Sequence, residues 1–235
     1  MQRFYRDNMS ADELIYYRVV YKETDLYVAT ADDRRDECMD IITSLRTELE
    51  EYISRHKGFQ SALAPISLYK DAPVIAVKMA EAARAAKVGP MAAVAGAFSQ
   101  SLSEKLGNPD ELIIENGGDL YIRSKHDRTI SIYPGENRFK GKLRFHFDAD
   151  SFPLSVCTSS AKLGHSLSFG KADSVTIISH DAYLADAMAT SVCNMIRTPE
   201  DIRKALEFAQ SVDGVLGAVA IIDDKLGAFG LVKFV

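Results

Sequence analysis

Hydrophobic positions along the chain follow two different periods, and together they predict blocks of strands and blocks of helices. Residues 14–30 are rich in Tyr and Val around a short polar turn, which predicts two strands. From about 32 to 57, apolar residues recur at every third or fourth position, a pattern typical of an amphipathic helix. Gly58 directly follows this pattern and is predicted to be the C-cap of the helix.

Four more helices are predicted after an irregular segment, at about 74–87, 91–106, 181–196 and 199–212. Short apolar segments separated by turns predict successive strands between the second and third of these helices, and the end of the chain predicts a hairpin. Because strands and helices come in blocks rather than in strict alternation, the predicted class is α+β. We expect mainly antiparallel sheets and several packed helices in a single domain over residues 1–235.

The composition is that of an ordinary globular protein, since 47% of the 235 residues are hydrophobic and 26% are charged. This composition excludes a disordered chain, a collagen-like repeat and a small disulfide scaffold. The net charge of −5 and the lack of any Lys/Arg cluster predict no binding to nucleic acid or to an anionic membrane.

The predicted localisation is cytoplasmic. Cys38, Cys157 and Cys193 are widely spaced and form no C-x-x-C motif, so we expect reduced thiols that hold no metal. No apolar run approaches the roughly 20 residues that a membrane span needs. The first residues also lack the apolar region of a secretion signal.

The predicted helix at 181–196 carries a single charge on a face of small residues. Asp186 and Thr190 lie four residues apart, so their oxygens point to the same side. One interpretation is a site for a hard cation such as Mg²⁺, which prefers oxygen ligands. The other is structural, with the Asp stabilised near the helix N-terminus and the Thr bonded to the preceding turn. The spacing alone leaves both open.

Three further segments allow both a functional and a structural interpretation. Residues 116–119, Asn-Gly-Gly-Asp, predict a hairpin turn whose glycines also permit close approach of a ligand. Residues 88–98 have almost no bulk or charge, which fits a tightly packed helix or a helix N-terminus that binds an anion. Residues 158–166 combine hydroxyls with Lys162 and His165, as a catalytic segment or a polar surface loop would.

The order of these four segments resembles the ApbE family, whose members are FAD:protein FMN transferases formerly linked to thiamine biosynthesis. The resemblance covers residues 88–194, is strongest in ENGGDLYI and SVTIISHDAYLADAMATSV, and points to a short uncharacterised branch of the family. In this family a metal polarises the FAD diphosphate and FMN passes to a Thr or Ser of a target protein. Such a transfer depends on alignment and charge neutralisation more than on covalent chemistry.

The resemblance implies roles for ten residues. It implies Mg²⁺ as the metal, held by Asp186, Thr190 and the backbone carbonyl of Ala95. It implies that FAD is bordered by residues of the hairpin and of a later strand, namely Asn116, Gly117, Gly118, Asp119 and Thr158. The implied catalytic residues, near the diphosphate and the acceptor, are Ser159 and His165.

The resemblance is incomplete in two motifs. Transferases typically carry G-I-A-K-G-Y where residues 93–98 have no lysine, and His165 lacks the Asp and Pro of the family's H-I-I-D-P. Lys162 and Lys171 are candidates to replace the missing cation. Two functions follow: a Mg²⁺-dependent enzyme acting on a flavin nucleotide or related diphosphate with a protein acceptor, or a binding or accessory protein of cofactor or sulfur metabolism that has lost flavin transfer. Exposed strand edges are compatible with a homodimer.

Overall fold

An antiparallel sheet of eight strands lies at the centre of the fold. The computed structural model describes residues 6, 9–11, 13–135, 137–162 and 169–235. Its strands, in chain order, are β1 (Ile15–Tyr21), β2 (Thr24–Thr30), β3 (Leu112–Asn116), β4 (Asp119–Arg123), β5 (Arg128–Ile132), β6 (Leu143–Phe147), β7 (Leu154–Ser159), β8 (Ser174–Ser179), β9 (Val215–Ile222) and β10 (Lys225–Gly230). The large sheet has the order β1-β2-β3-β4-β7-β8-β9-β10, and β5 pairs with β6 separately.

Helices cover one face of this sheet, and the β5–β6 pair covers the other. The helices are α1 (Arg35–Arg55), α2 (Gly58–Ser61), α3 (Val74–Ala86), α4 (Val94–Lys105), α5 (Ala182–Met195) and α6 (Asp201–Gln210). Two buried hydrophobic clusters result, one between the helices and the sheet and one between the two sheets. The predicted α+β class, with its antiparallel pairing, is therefore confirmed.

The predicted elements are present, with shifts at their ends. The helix predicted at 91–106 starts three residues later than expected, because residues 90–93 form a 3₁₀ turn and α4 begins at Val94. The prediction that Gly58 caps the first long helix is wrong. The cap is His56, whose N–H donates to the carbonyl of Tyr52, and Gly58 instead begins the short helix α2. A β-turn of two residues, with Lys22 at a φ of 52°, joins β1 to β2.

Two further expectations concern chemistry and location. Cys38, Cys157 and Cys193 are all buried, and none of them forms a disulfide. Within the described ranges, no helix combines the length and the apolar character needed to cross a membrane.

Candidate functional site

Helix α5 is buried on nearly all sides, which decides the environment of its single carboxylate. It packs on β7 and β8 and against α3, α4 and α6. Its N-cap is Asp181, whose side chain accepts hydrogen bonds from the amides of Tyr183 and Leu184. Asp186 lies in the second turn of α5 and is not the residue that caps this helix.

Asp186 instead faces the N-terminus of the neighbouring helix α4. Its Oδ2 accepts a hydrogen bond of 2.9 Å from the amide of Gly96. The first amides of a helix have no partner within the helix, so a carboxylate at this position is stabilised by them and by the helix dipole. The N-terminus of α4 thus binds a carboxylate of the same protein, whereas the sequence left anion binding and tight packing both open for residues 88–98.

Gly96 allows α4 and α5 to approach closely enough for this hydrogen bond to form. A Cβ placed on Gly96 would lie 2.0 Å from the carbonyl oxygen of Ala182 and 3.1 Å from the Cβ of Asp186. No side chain fits there without separating α4 from α5. The run of small residues in 88–98 is therefore explained first by packing, and its consequence is to bring Ala95 and Asp186 together.

The Asn-Gly-Gly-Asp turn joins β3 to β4 and lies beside these helices. Asn116 pairs with Asp119 across the strands, and the two glycines between them have φ angles of 70° and 107°. Positive φ at both central positions is what a two-residue hairpin turn of this kind requires. The hairpin prediction is confirmed, and it places the Asn116 and Asp119 side chains on the same face of the sheet.

The carbonyl of Ala95, implied as a metal ligand, already accepts two hydrogen bonds. Asn116 Nδ2 donates to it at 3.1 Å and Ser99 Oγ at 3.0 Å. A backbone carbonyl has two lone pairs, so both are used. Coordination of a metal by Ala95 would therefore require one of these donors to move, and Asn116 is the one at the end of a hairpin.

Asp119 is buried beside Asp186, and each carboxylate affects the other. Asp119 Oδ1 accepts a hydrogen bond of 2.8 Å from the amide of Thr158, which joins β4 to the end of β7. Burial, followed by the charge of Asp186, holds the pKa of Asp119 well above its usual range. Burial also raises the pKa of Asp186 to about 7, although the amides of Gly96 and Ala95 favour its charged form.

Asp119, which is buried, and Asp186, which is partly buried, differ from two other acids with little exposure in having no basic partner among the described residues. Glu115 pairs with Arg6 at 2.5 Å, and Asp173 pairs with Lys162 at 2.5 Å. Among the residues that the structure describes, neither Asp119 nor Asp186 forms an ion pair. Buried carboxylates are usually paired or bound to a metal, so this part of the protein is suited to a cation.

Hydroxyl groups extend the site along α5 and β7. Ser159 is 8% exposed, and its Oγ has no hydrogen-bond partner in the described parts of the chain. Side chains alternate along a strand, so Ser159 lies on the same side as Cys157, which packs with the helices. Thr190 is partly buried one helical turn after Asp186. An unpartnered buried hydroxyl beside two carboxylates is a ready contact for a polar ligand.

Cys157 belongs to this site although no motif in the sequence pointed to it. Burial and the charges of Asp119 and Asp186 hold the pKa of its thiol far above the usual range, so it is a neutral group. The only signal in the sequence was its place two residues before Ser159 in a strand. Of the residues predicted for the site, His165 lies outside the described residues, and its catalytic role stays a prediction.

A cavity of about 370 Å³ lies beyond the end of β7, with Lys162, Lys171 and Arg197 in its walls. Lys162 forms an ion pair with Asp173, so Lys171 is the better candidate to replace the lysine missing from residues 93–98. The amide of Lys171 donates to the carbonyl of Ile196 at 2.7 Å, at the C-terminal end of α5. Cations are favoured there by the helix dipole alone, so the position has a structural explanation as well.

A second group of possible ligands lies between β5, β6 and the C-terminus. His146 Nε2 is 3.2 Å from Asp148 Oδ1 and 3.7 Å from Asp127 Oδ2. Within the described ranges this is the one set of three His, Cys, Asp or Glu side chains whose ligand atoms converge. Lys233 lies 3.7 Å from Asp148, so ordinary ion pairing accounts for the group. It is a useful control for metal binding at Asp186.

The raised pKa of Asp186 predicts a specific pH dependence. The folded protein keeps the proton up to about pH 7, whereas the unfolded chain loses it near the ordinary value of 3.8. Metal-free wild type should therefore lose stability relative to Asp186→Asn as the pH rises from 5 to 8, by on the order of 2 kcal/mol. Urea unfolding of both proteins across this range measures the difference, and parallel curves would contradict the prediction.

Comparison with known proteins identifies relatives in both sequence and fold. A family model described as "AbpE bacteria" matches residues 6–227. UPF0280 protein MJ1526 of Methanocaldococcus jannaschii is 38% identical over 219 residues, which are 91% of this chain and 89% of that protein. UPF0280 protein MK0206 of Methanopyrus kandleri is 37% identical over 220 residues, again 91% of this chain and 89% of the relative.

Solved structures with the same fold include flavin transferases. A mutant form of flavin transferase ApbE from Vibrio cholerae superposes with a TM-score of 0.59 at 10% identity, covering 93% of this chain and 97% of that one. Flavinyl transferase ApbE from Pseudomonas stutzeri, in its apo form, gives 0.57 at 12% identity, covering 94% and 96%. The family match over most of the chain, together with this shared fold, shows that the chain belongs to the AbpE family and has the ApbE fold.

Proposed function

We propose that the protein binds a flavin nucleotide, or a related diphosphate, together with Mg²⁺ between the β3–β4 hairpin, the end of β7 and α5. The observation that carries this proposal is a pair of carboxylates, Asp119 buried and Asp186 partly buried, without a basic partner in the described structure. Without a cation, the surroundings of both side chains oppose folding at neutral pH, because desolvation disfavours the charged form of each and the charge of Asp186 adds to this effect at Asp119. The structurally similar flavin transferases suggest the class of ligand, and the pair of carboxylates suggests where it binds.

The donor set fits a hard cation. Asp186 has a second carboxylate oxygen beyond the one held by Gly96, Thr190 offers a hydroxyl one turn further on, and Ala95 offers a carbonyl. Mg²⁺ takes few protein oxygens and leaves the remaining positions to phosphates and water, as this set does. When bound, the ion would neutralise charge on the diphosphate and favour departure of its leaving phosphate.

The protein's own groups would orient the nucleotide around that centre. The unpartnered Ser159 hydroxyl can donate to a phosphate oxygen, and Asn116, freed from Ala95, can donate to the same ligand. Gly117 has a positive φ and open space on its Cβ side, so the turn admits a flat ligand close to the backbone. Positioning of this kind is the main requirement for phosphoryl transfer, so transfer of FMN to a hydroxyl of a protein acceptor is the activity we propose.

A second candidate function is nucleotide binding without transfer. Residues 93–98 carry no lysine, and Lys162, one of the two candidates to replace it, is bound to Asp173. A site with the metal pair and fewer cations keeps affinity for the diphosphate but stabilises a transition state less well.

Calorimetric titration of FAD, with and without Mg²⁺, tests the proposal first. We expect binding that is at least about tenfold tighter with Mg²⁺, since the ion links the carboxylates to the diphosphate. Incubation of the complex with a hydroxyl-bearing acceptor protein, followed by assay of released AMP, then separates transfer from binding alone. Tight Mg²⁺-dependent binding without AMP release would favour the second function. No binding under either condition would contradict both.

A further inference from the structure

Arg6 lies under the β3–β4 hairpin, on the side away from the helices. Its Nε donates to Glu115 Oε2 at 2.6 Å, and its Nη1 donates to Asp25 Oδ1 at 2.9 Å. A third bond of 2.8 Å runs from Nη2 to the carbonyl of Asp25, and the guanidinium lies 5.5 Å from the ring centre of Tyr27. The Arg6 side chain is only 10% exposed. A guanidinium held by this many contacts is fixed in one orientation.

Glu115 connects this arginine to the glycine turn. Its side chain is 2% exposed, and its two oxygens have different partners. Oε2 is held by Arg6, while Oε1 accepts a hydrogen bond of 2.7 Å from the amide of Gly118. The Gly118 amide, at a φ of 107°, is therefore fixed by a side chain of β3. It follows that the shape of the turn depends on the orientation of Glu115.

The glycine turn also orients the side chains of Asn116 and Asp119, which lie on the opposite face of the sheet from Glu115. Glu115 alternates with Asn116 along β3, so the two side chains lie on opposite faces. Asn116 pairs with Asp119 across the turn, and these residues contact Ala95 and Thr158 respectively. A change in the conformation of Gly117 or Gly118 would move both contacts, because these two glycines are the only residues between Asn116 and Asp119.

We propose that Arg6 is a positioning residue, which fixes the Gly117–Gly118 turn through Glu115 and thereby holds Asn116 and Asp119 in the candidate site. The proposal rests on the proposed function for what the site binds, and on the contacts of Arg6 for how the site is held. Charge adds a second effect: Arg6 neutralises Glu115, which would otherwise be a third buried negative charge near Asp119 and Asp186. Removal of Arg6 takes away the group that holds Oε2 of this buried carboxylate, so we expect Glu115 to shift from its position.

Arg18 provides a matched control. It also binds Asp25, with Nε 2.8 Å from Oδ1, but its side chain is 61% exposed, whereas that of Arg6 is 10% exposed. Arg6→Ala and Arg18→Ala therefore each remove one arginine from Asp25, and Arg6→Ala also removes a partner of Glu115.

Amide exchange of Gly118 tests the contact without any ligand. The chain has 14 glycines, so a spectrum of protein labelled with ¹⁵N-glycine is small enough to assign. We expect Gly118 exchange to become about tenfold faster in Arg6→Ala and to stay unchanged in Arg18→Ala. Adding Glu115→Gln to Arg6→Ala should restore protection, because the amide oxygen still accepts from Gly118 and no charge is left unpaired. Unchanged exchange in Arg6→Ala, or no restoration in the double variant, would overturn the proposal.

Binding of FAD with Mg²⁺ tests the consequence for the site. We expect Arg6→Ala to weaken it by about tenfold or more, as loss of a supporting contact does at metal sites, with Arg18→Ala within twofold of wild type. Faster Gly118 exchange with unchanged FAD affinity would overturn the positioning role. If wild type binds no FAD, the proposed function fails, while the exchange data still decide whether Arg6 fixes the turn. If Arg6→Ala fails to fold, Glu115→Gln alone replaces it in these measurements. We then expect the Gly118 amide to stay protected and Asp119 to keep its position.

Discussion

Replacement of Asp186 by alanine is expected to abolish Mg²⁺-dependent binding of FAD while leaving the protein folded. Asp186 is the one acidic side chain of α5 that faces the proposed site, and its second oxygen is the strongest ligand on offer there. Without Asp186 the cation would keep only Thr190, Ala95 and the nearby Asp119, whose Oδ1 is already held by the amide of Thr158, so we expect a loss of at least about 100-fold in affinity. Calorimetry of the variant with FAD and Mg²⁺ measures it directly.

Two comparisons make that result specific. The metal-free variant should be at least as stable as wild type near neutral pH, because it removes a partly buried carboxylate whose pKa is raised by desolvation to about 7. Asp127→Asn removes a carboxylate from the cluster around His146, so it should leave Mg²⁺-dependent FAD binding unchanged. Retained binding in Asp186→Ala, or equal loss in Asp127→Asn, would remove Asp186 from the metal site.

The sequence predicted the fold well because its signals were local. The hairpin at 116–119 and the helix at 181–196 are each determined by a short pattern, namely Asn-Gly between apolar runs and apolar residues spaced three and four apart. Errors came at the ends of elements. Gly58 looked like a helix C-cap, but the cap at His56 depends on a hydrogen bond to Tyr52 and on contacts of its ring with Tyr69, which no local pattern contains.

The environment of the candidate site was harder to predict, since it depends on contacts between distant segments. That Asp186 binds the first amides of α4 requires knowing that α4 lies against α5, 90 residues away in sequence. To predict that the carbonyl of Ala95 already has two donors, one must know that Asn116 lies beside it. The lone charge of α5 was visible in the sequence, whereas its coupling to Asp119 emerged only when β4, β7 and α5 were brought together.

Arg6 shows the same limit more sharply. Glu115 reads as one polar residue in a strand that precedes a turn, and nothing near it in the sequence predicts that its carboxylate is 2% exposed and shared between an arginine and the turn. The arginine comes from 109 residues earlier in the chain. Long-range ion pairs of this kind leave no periodic signal, so a structure is needed to find them.

Substitution of Gly96 by alanine is expected to destabilise the protein severely. The added Cβ would lie 2.0 Å from the carbonyl oxygen and 2.6 Å from the carbonyl carbon of Ala182, both backbone atoms of α5. Backbone cannot rotate out of the way as a side chain can, so α4 and α5 must separate and open the packing around them. Overpacking of this kind typically costs about 3 kcal/mol, or about 6–12 °C in Tm for a chain of this size.

Gly58→Ala is the matched control, because the nearest atom to a Cβ there is 3.8 Å away on the His56 ring. It should change the free energy of unfolding by less than about 1 kcal/mol. Urea unfolding of both variants measures the difference, and a Gly96→Ala protein as stable as Gly58→Ala would contradict the close contact. Since the amide of Gly96 also holds Asp186, any Gly96→Ala protein that remains folded should bind Mg²⁺ and FAD more weakly, whereas Gly58→Ala should bind as wild type does.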